Sequence, residues 1–156
     1  MKITRTSALV ALLALASAGA AMAAPSKGEI LIGNIQDLSG MTAAWGEGQT
    51  NGAQIAVEEI NAKGGLLGGR KVRLITYDFK GQVPESINAY NRLAGQDKVV
   101  AVLGSSNSAV HIALAPITVT AKVPIVSDAM DERATTPSEG QVNRYIFLLS
   151  EPSSGQ

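Results

Sequence analysis

The stretch VVAVLGSSNSAVHIALAPI, Val99–Ile117, decides how this chain folds. Val99–Leu103 is an unbroken apolar run, short and rich in β-branched residues, and it reads as a strand. Such a run points to burial on both faces, the usual state of a parallel strand. Gly104 ends it, and Ser105, Ser106, Asn107 and Ser108 follow as a polar cluster. From Ser108 to Ala121, Val110, Leu114, Ile117 and Val119 recur at helical spacing and are expected inward, with Pro116 predicted to bend the helix or weaken its middle. A strand therefore delivers hydroxyls to the front of a helix.

The alternation continues on both sides. Glu29–Gln36 reads as a first strand, apolar around Ile30, Ile32 and Ile35, and Asp37–Gln49 as a loop. Asn51–Lys63 is a helix with Ala53, Ala56, Val57 and Ile60 on one face, capped by Gly64-Gly65. Lys71–Tyr77 is a second strand with Asp78 at its end. A helix runs from Pro84 to about Ala94 and stops at Gly95. Val123–Val126 is a fourth strand, Asp128–Asn143 a polar loop with room for a helical turn, and Tyr145–Leu149 a fifth strand. Strands alternating with helices over short links predict an α/β doubly wound parallel sheet with helices on both faces. Ligands of such sheets sit outside the carboxyl ends of the strands. Here those ends are Asp37–Gly40, Asp78-Phe79, Gly104–Ser108 and Ser127–Asp131.

Composition narrows the function. Residues 1–23 read as a secretory leader: Lys2 and Arg5, the apolar run Ala8–Ala16, then Ala21-Met22-Ala23 with cleavage after Ala23. The apolar run is shorter than the roughly 20 residues a membrane span needs. The expected product is a free protein of the periplasm, comprising residues 24–156. The leader holds two of the thirteen basic residues and none of the thirteen acidic ones, leaving a nearly neutral remainder. No basic field for nucleic acid and no cationic amphipathic segment for a membrane surface is present. With no Cys and one His, a thiolate metal site is excluded, and no cofactor is expected.

Three chemistries fit the strand ends. A serine nucleophile, Ser106 or Ser108, would make a hydrolase, but the G-x-S-x-G turn lacks its second glycine. The one His, His111, lies three residues after Ser108 on the same helix and is expected to be a partly exposed helix residue. A dinucleotide site would use Gly46, Gly48 and Gly52, yet these are one residue too widely spaced and too far from the first strand, although Asp78 stands where a ribose-binding acid would. The third is a small anion held without transformation. A helix N-terminus offers free N–H groups and a dipole contribution of about 0.3–1 kcal/mol to a carboxylate. Each hydrogen bond to the charged group adds about 1.5–3 kcal/mol. Plain N-capping accounts for one polar residue, not four in a row.

The segment NGAQIAVEEINAKGGLLGGRKVRLITYD, residues 51–78, resembles the first helix–turn–strand of the periplasmic leucine/isoleucine/valine-binding proteins. Leu38–Gly40, Trp45-Gly46, Glu59–Gly65, Gly68 and Asp78 carry the likeness, which runs from Ile30 to about Gln156. These are the substrate-binding components of branched-chain-amino-acid-type ABC importers. The resemblance implies a type I periplasmic binding fold of two lobes, with this chain as the first lobe and the second missing. Members run to roughly twice this length. It implies that Ser108, with Asn107 beside it, receives a ligand carboxylate, and that Trp45 packs on the ligand side chain. The loop after the fourth strand would supply a carbonyl at Ala129 and a side chain at Asp131, or at Met130 if one residue is deleted. The usual Thr hydroxyl is absent at both, and an acid at Asp131 would face a ligand ammonium. The implied partners are a small solute, an amino acid or a related carboxylate or amide, and the permease subunits of the importer. A sensory ligand-binding domain of a receptor is a further alternative.

Overall fold

The computed structural model describes residues 28–138 and 140–150. The leader, its cleavage point and the last six residues lie outside the described residues. Five strands, β1 Ile30–Gln36, β2 Val72–Asp78, β3 Ala101–Leu103, β4 Ile125–Ser127 and β5 Ile146–Leu148, form one sheet in the order β2-β1-β3-β4-β5. Every pairing is parallel. The α-helices are α1 Ala43–Ala62, α2 Val83–Arg92 and α3 Ser108–Ala121. The chain winds outward from β1 to β2, then returns past β1 to β3, so the direction reverses between β1 and β3. Right-handed crossovers then place α1 on one face and α2 and α3 on the other.

The main core lies under α2 and α3. Ile35, Val102, Ile125, Leu93, Tyr90 and Leu114 are all fully buried there. Tyr90 donates its hydroxyl to the Val123 carbonyl at 2.5 Å, which satisfies the one polar atom of that ring. On the opposite face α1 is tied to the sheet by polar contacts. Asn34 Nδ2 donates to Thr50 Oγ1 at 3.1 Å, and Asn61 Oδ1 and Nδ2 pair with the backbone of Val72 at 2.8 and 2.7 Å.

Several expectations need correction. Asp37–Gln49 is not a loop throughout, because α1 already begins at Ala43. The Asp37 carboxylate accepts from the Gly40 and Thr42 N–H groups and from Thr42 Oγ1, so the helix start is fixed from outside the helix. Gly46 is buried, and a Cβ there would overlap the Asp37 carbonyl. Its glycine serves close approach rather than loop flexibility. Gly95 does not stop the second helix. A π turn, Leu93–Asp97, carries on from α2, and Lys98 with φ 57° ends it. Ala56 and Val119 are exposed, although Val57, Ile60, Leu114 and Ile117 face inward as expected. α3 runs unbroken through Pro116. Gly64 and Gly65 do end α1, at φ 101° and 87°.

The third strand is fully buried on one face only. Register places Ala101, Leu103, Val126 and Phe147 on the face that α1 occupies over β1 and β2. α1 does not extend over β4 and β5, and Phe147 and Leu149 are 51% and 76% exposed. Among the described residues no helix covers this part of the sheet, which is unusual for parallel strands.

Candidate functional site

A cavity of about 460 Å³ opens at the carboxyl end of β1 and β3, where the winding direction reverses. Gln36 and Asp37 form its floor, Trp45 and Gln49 on α1 form one wall, and Ser105–Asn107 form the other. Met41 and Trp45, fully and 64% exposed, stand at its mouth. The cavity is mainly apolar above a polar floor, the composition of a small-molecule site.

Each wall is fixed by chemistry that the sequence makes possible. Burial alone would raise the Asp37 pKa. The Thr42 hydroxyl and the Thr42 and Gly40 N–H groups outweigh it and hold the carboxyl below its ordinary value of 3.8. Asp78 behaves alike: burial raises its pKa, while the Ser39 hydroxyl, the Leu38 and Lys80 N–H groups and the Lys80 charge bring it below 3.8. Asp78 is thereby used in holding the Leu38–Lys80 loops, at 2.6–2.9 Å. Gly46, Gly48 and Gly52 all lie inside α1, so they form no phosphate-binding turn.

Asn107 is the N-cap of α3 and accepts from the Ala109 N–H at 3.0 Å. The Ser105 hydroxyl accepts from the Asn107 N–H, and Ser106 donates to Asp128 Oδ2 at 3.0 Å. Ser108 accepts from the Met130 N–H at 3.4 Å, a long bond between the front of α3 and the loop after β4. His111 is fully buried, not partly exposed. Its Nε2 lies 2.7 Å from the Ser105 carbonyl, which can only accept, so Nε2 carries the proton. That nitrogen is thus engaged by a backbone carbonyl and not by the Ser106 or Ser108 hydroxyl. Burial lowers the His111 pKa, against the opposing influence of the Ser105 carbonyl and Asp128.

Of the five residues expected in the site, Trp45 and Asn107 line the cavity. Ser108 follows Asn107 in the chain but is not among the residues that line the cavity, and its Oγ accepts from the Met130 N–H. Ala129 is fully buried and its N–H donates to Ser127 Oγ at 3.0 Å. Asp131 caps the short helical turn Glu132–Ala134 and meets the Arg133 guanidinium at 2.6 Å. Hydrogen bonds from the Arg133 side chain and N–H bring its pKa down to about 2. Its charge is thus already countered within its own loop.

Sequence reasoning missed the polar layer beneath the cavity. Asn34 and Gln36, alternate residues of β1, are buried on the α1 face, and Gln36 Nε2 donates to Asn34 Oδ1 and to the Gly104 carbonyl at 3.2 Å each. Gln49 Nε2 donates to Ser106 Oγ at 3.0 Å and Asp128 Oδ2 at 2.8 Å. The signal was available: polar residues at alternate positions late in an otherwise apolar strand. Among the described residues no cluster of three His, Cys, Asp or Glu side chains could hold a metal ion.

The parallel doubly wound sheet thus carries a capped helix front and an aromatic-rimmed cleft at its switch point. The sequence profile of the periplasmic binding protein family matches residues 29–156. A Leu/Ile/Val-binding protein, BraC3 of Rhizobium johnstonii, is 40% identical over 114 residues, covering 73% of this chain and 29% of that protein. A Leu/Ile/Val-binding protein homolog of Brucella abortus is 36% identical over 102 residues, 65% of this chain and 25% of the relative. The branched-chain amino acid substrate-binding protein LivJ of Streptococcus pneumoniae, solved with isoleucine, superposes with a TM-score of 0.71 at 31% identity. The superposition covers 80% of this chain and 34% of LivJ. The chain belongs to the periplasmic binding protein family. It has the type I periplasmic binding fold, and it spans about a third or less of the relatives it matches, rather than half.

Proposed function

We propose that this chain is the first lobe of an extracytoplasmic solute-binding protein that captures an amino acid or a related small carboxylate or amide for an ABC importer. No chemical step is involved. The observation that carries this reading is the position of the Asn107-Ser108 front of α3. It opens beside a cleft with Trp45 at the rim, at the switch point of a parallel sheet. A ligand carboxylate there would meet backbone N–H groups and the positive end of the helix dipole. Trp45, 64% exposed, offers a ring face to an apolar ligand side chain. The two Leu/Ile/Val-binding relatives and the isoleucine complex of LivJ support a branched-chain amino acid as the ligand class. Ala129 and Asp131, on the second loop at this end of the sheet, are the remaining proposed contacts, and Asp131 would have to exchange Arg133 for a ligand ammonium. The ligand would be half solvated against one lobe, so binding to this chain alone is weak.

In this account residues 1–23 are the leader, cut after Ala23, and residues 24–156 work in the periplasm with the importer's permease as partner. A hydrolase of the triad kind would need an imidazole on Ser106 or Ser108. Here the His111 Nε2 is directed at the Ser105 carbonyl instead. Thermal melting of residues 24–156 against free amino acids, amides and small carboxylic acids tests the proposal. A ligand that binds only the folded state raises the melting temperature. A rise with branched-chain amino acids, with the ligand recovered unchanged, is the expected result. Consumption of the ligand would overturn it.

A further inference from the structure

Two loops flank the cleft, the β3–α3 loop with Asn107 and Ser108 and the β4 loop with Ala129 and Asp131. One side chain from a third element reaches both. Gln49, in the second turn of α1, donates from Nε2 to Ser106 Oγ at 3.0 Å and to Asp128 Oδ2 at 2.8 Å. Ser106 in turn donates to the same Asp128 oxygen, closing a three-membered ring of hydrogen bonds across α1, β3–α3 and β4. The amide orientation is fixed by chemistry. With Gln49 turned over, its carbonyl would face a carboxylate that can only accept.

The hydrogen bonds of this junction all run between the cleft-forming elements. We propose that Gln49 is a positioning residue, whose double donation sets the separation of the two cleft loops and so the affinity for ligand. This rests on the binding reading above, but its test does not depend on it.

The test uses the 156-residue chain, amide hydrogen exchange at Asn107–Ala109 and Ala129–Met130, and melting temperature, with L-leucine as the binding probe. Gln49→Met removes the donor while keeping a side chain of similar length. It should raise exchange at both loops about tenfold while shifting the melting temperature by less than about 4 °C. Gln49→Glu sets a carboxylate against Asp128 and should loosen the loops further. Gln49→Glu combined with Asp128→Asn reverses the polarity of the ring. The new amide at position 128 would then donate to the new carboxylate at position 49 and to Ser106 Oγ, and the Ser106 hydroxyl would donate to that carboxylate. Exchange at both loops should return close to the original rates. Unchanged exchange in Gln49→Met and Gln49→Glu would overturn the proposal, as would a folded double variant that stays loose. Loss of a cooperative melt in Gln49→Met would make Gln49 a structural residue and overturn it too. Loosened loops in a chain that never responds to L-leucine would uphold the positioning role and count against the ligand reading alone.

Discussion

Thr42 is joined to Asp37 twice, Oγ1 to Oδ2 at 2.7 Å and N–H to Oδ2 at 2.9 Å, and this pair starts α1. Thr42 occupies the N-cap position but makes no side-chain cap bond to the helix itself. The capping charge comes from the end of β1 instead. Asp37→Ala should therefore destabilise the chain by about 1.5–3 kcal/mol, the worth of a hydrogen bond to a charged group. The same carboxylate should shape the acid limb of stability. Its folded pKa lies below 3.8 because hydrogen bonds outweigh burial. Its stabilisation is complete above the unfolded value and is lost as pH falls through the folded one, below about pH 4. Denaturant melts of Asp37→Asn at pH 7 and pH 3 should show a loss at pH 7 that narrows at pH 3.

Gly46 approaches the Asp37 backbone too closely for any side chain. Gly48 and Gly52, on the same helix, have open space where a methyl would go. Gly46→Ala should lower the melting temperature and disturb the cleft wall that carries Trp45. Gly52→Ala should raise it, since alanine is favoured over glycine in a helix by about 1 kcal/mol. Tryptophan fluorescence during thermal melts reads both effects.

His111 is buried and neutral, and burial holds its pKa below 6.5 despite the opposing Ser105 carbonyl and Asp128. The unfolded chain then takes up a proton that the folded chain refuses. Stability from this source is full above about pH 6.5 and declines as pH falls through the folded pKa. Urea midpoints measured from pH 8 to pH 5 should fall for the natural chain. In His111→Gln the fall should flatten over that range, whatever its effect on the midpoint at pH 8.

Phe147 and Leu149 project from the uncovered part of the sheet, 51% and 76% exposed. Contiguous apolar surface of this kind promotes association. Phe147→Lys combined with Leu149→Lys should raise the soluble fraction and lower binding of an apolar dye such as ANS. The melting temperature should change little, because neither side chain is in the main core.

The alternation of strands and helices was legible because apolar periodicity reports it directly. Val99–Leu103 and Ser108–Ala121 each carry one period over most of their length. The start of α1 was not legible. Met41–Gly52 holds Gly46, Gly48 and Gly52 and few apolar residues for a helix, and it is made helical by Asp37, Thr42 and the close seating of Gly46. The exposed half of the sheet was likewise hidden, since an apolar run in β3 does not say whether a layer covers it. Of the residues expected in the site, Asn107 was pointed to by its place after a strand end and Trp45 by the family resemblance, and both line the cleft. Gln36, Gln49 and Asp128 were not legible, because their partners lie 68, 57 and 22 positions away, at Gly104 for Gln36 and at Ser106 for the other two. Such pairings follow from the winding of the sheet, not from local pattern.

Whether the cleft at the front of α3 holds a small carboxylate can be read by NMR titration, which tolerates weak binding. Isotopically labelled chain, residues 24–156, would be titrated with L-leucine, L-isoleucine and L-valine. Carboxylate capture at this cleft should give saturable shifts of the Ser106–Ala109 amides and the Trp45 indole. Signals of the remote Leu66–Arg70 turn should stay unmoved, and the leucine amide that lacks a free carboxylate should bind more weakly. Shifts confined to the remote turn, or no saturable shift at Ser106–Ala109 with any of the three amino acids, would contradict it.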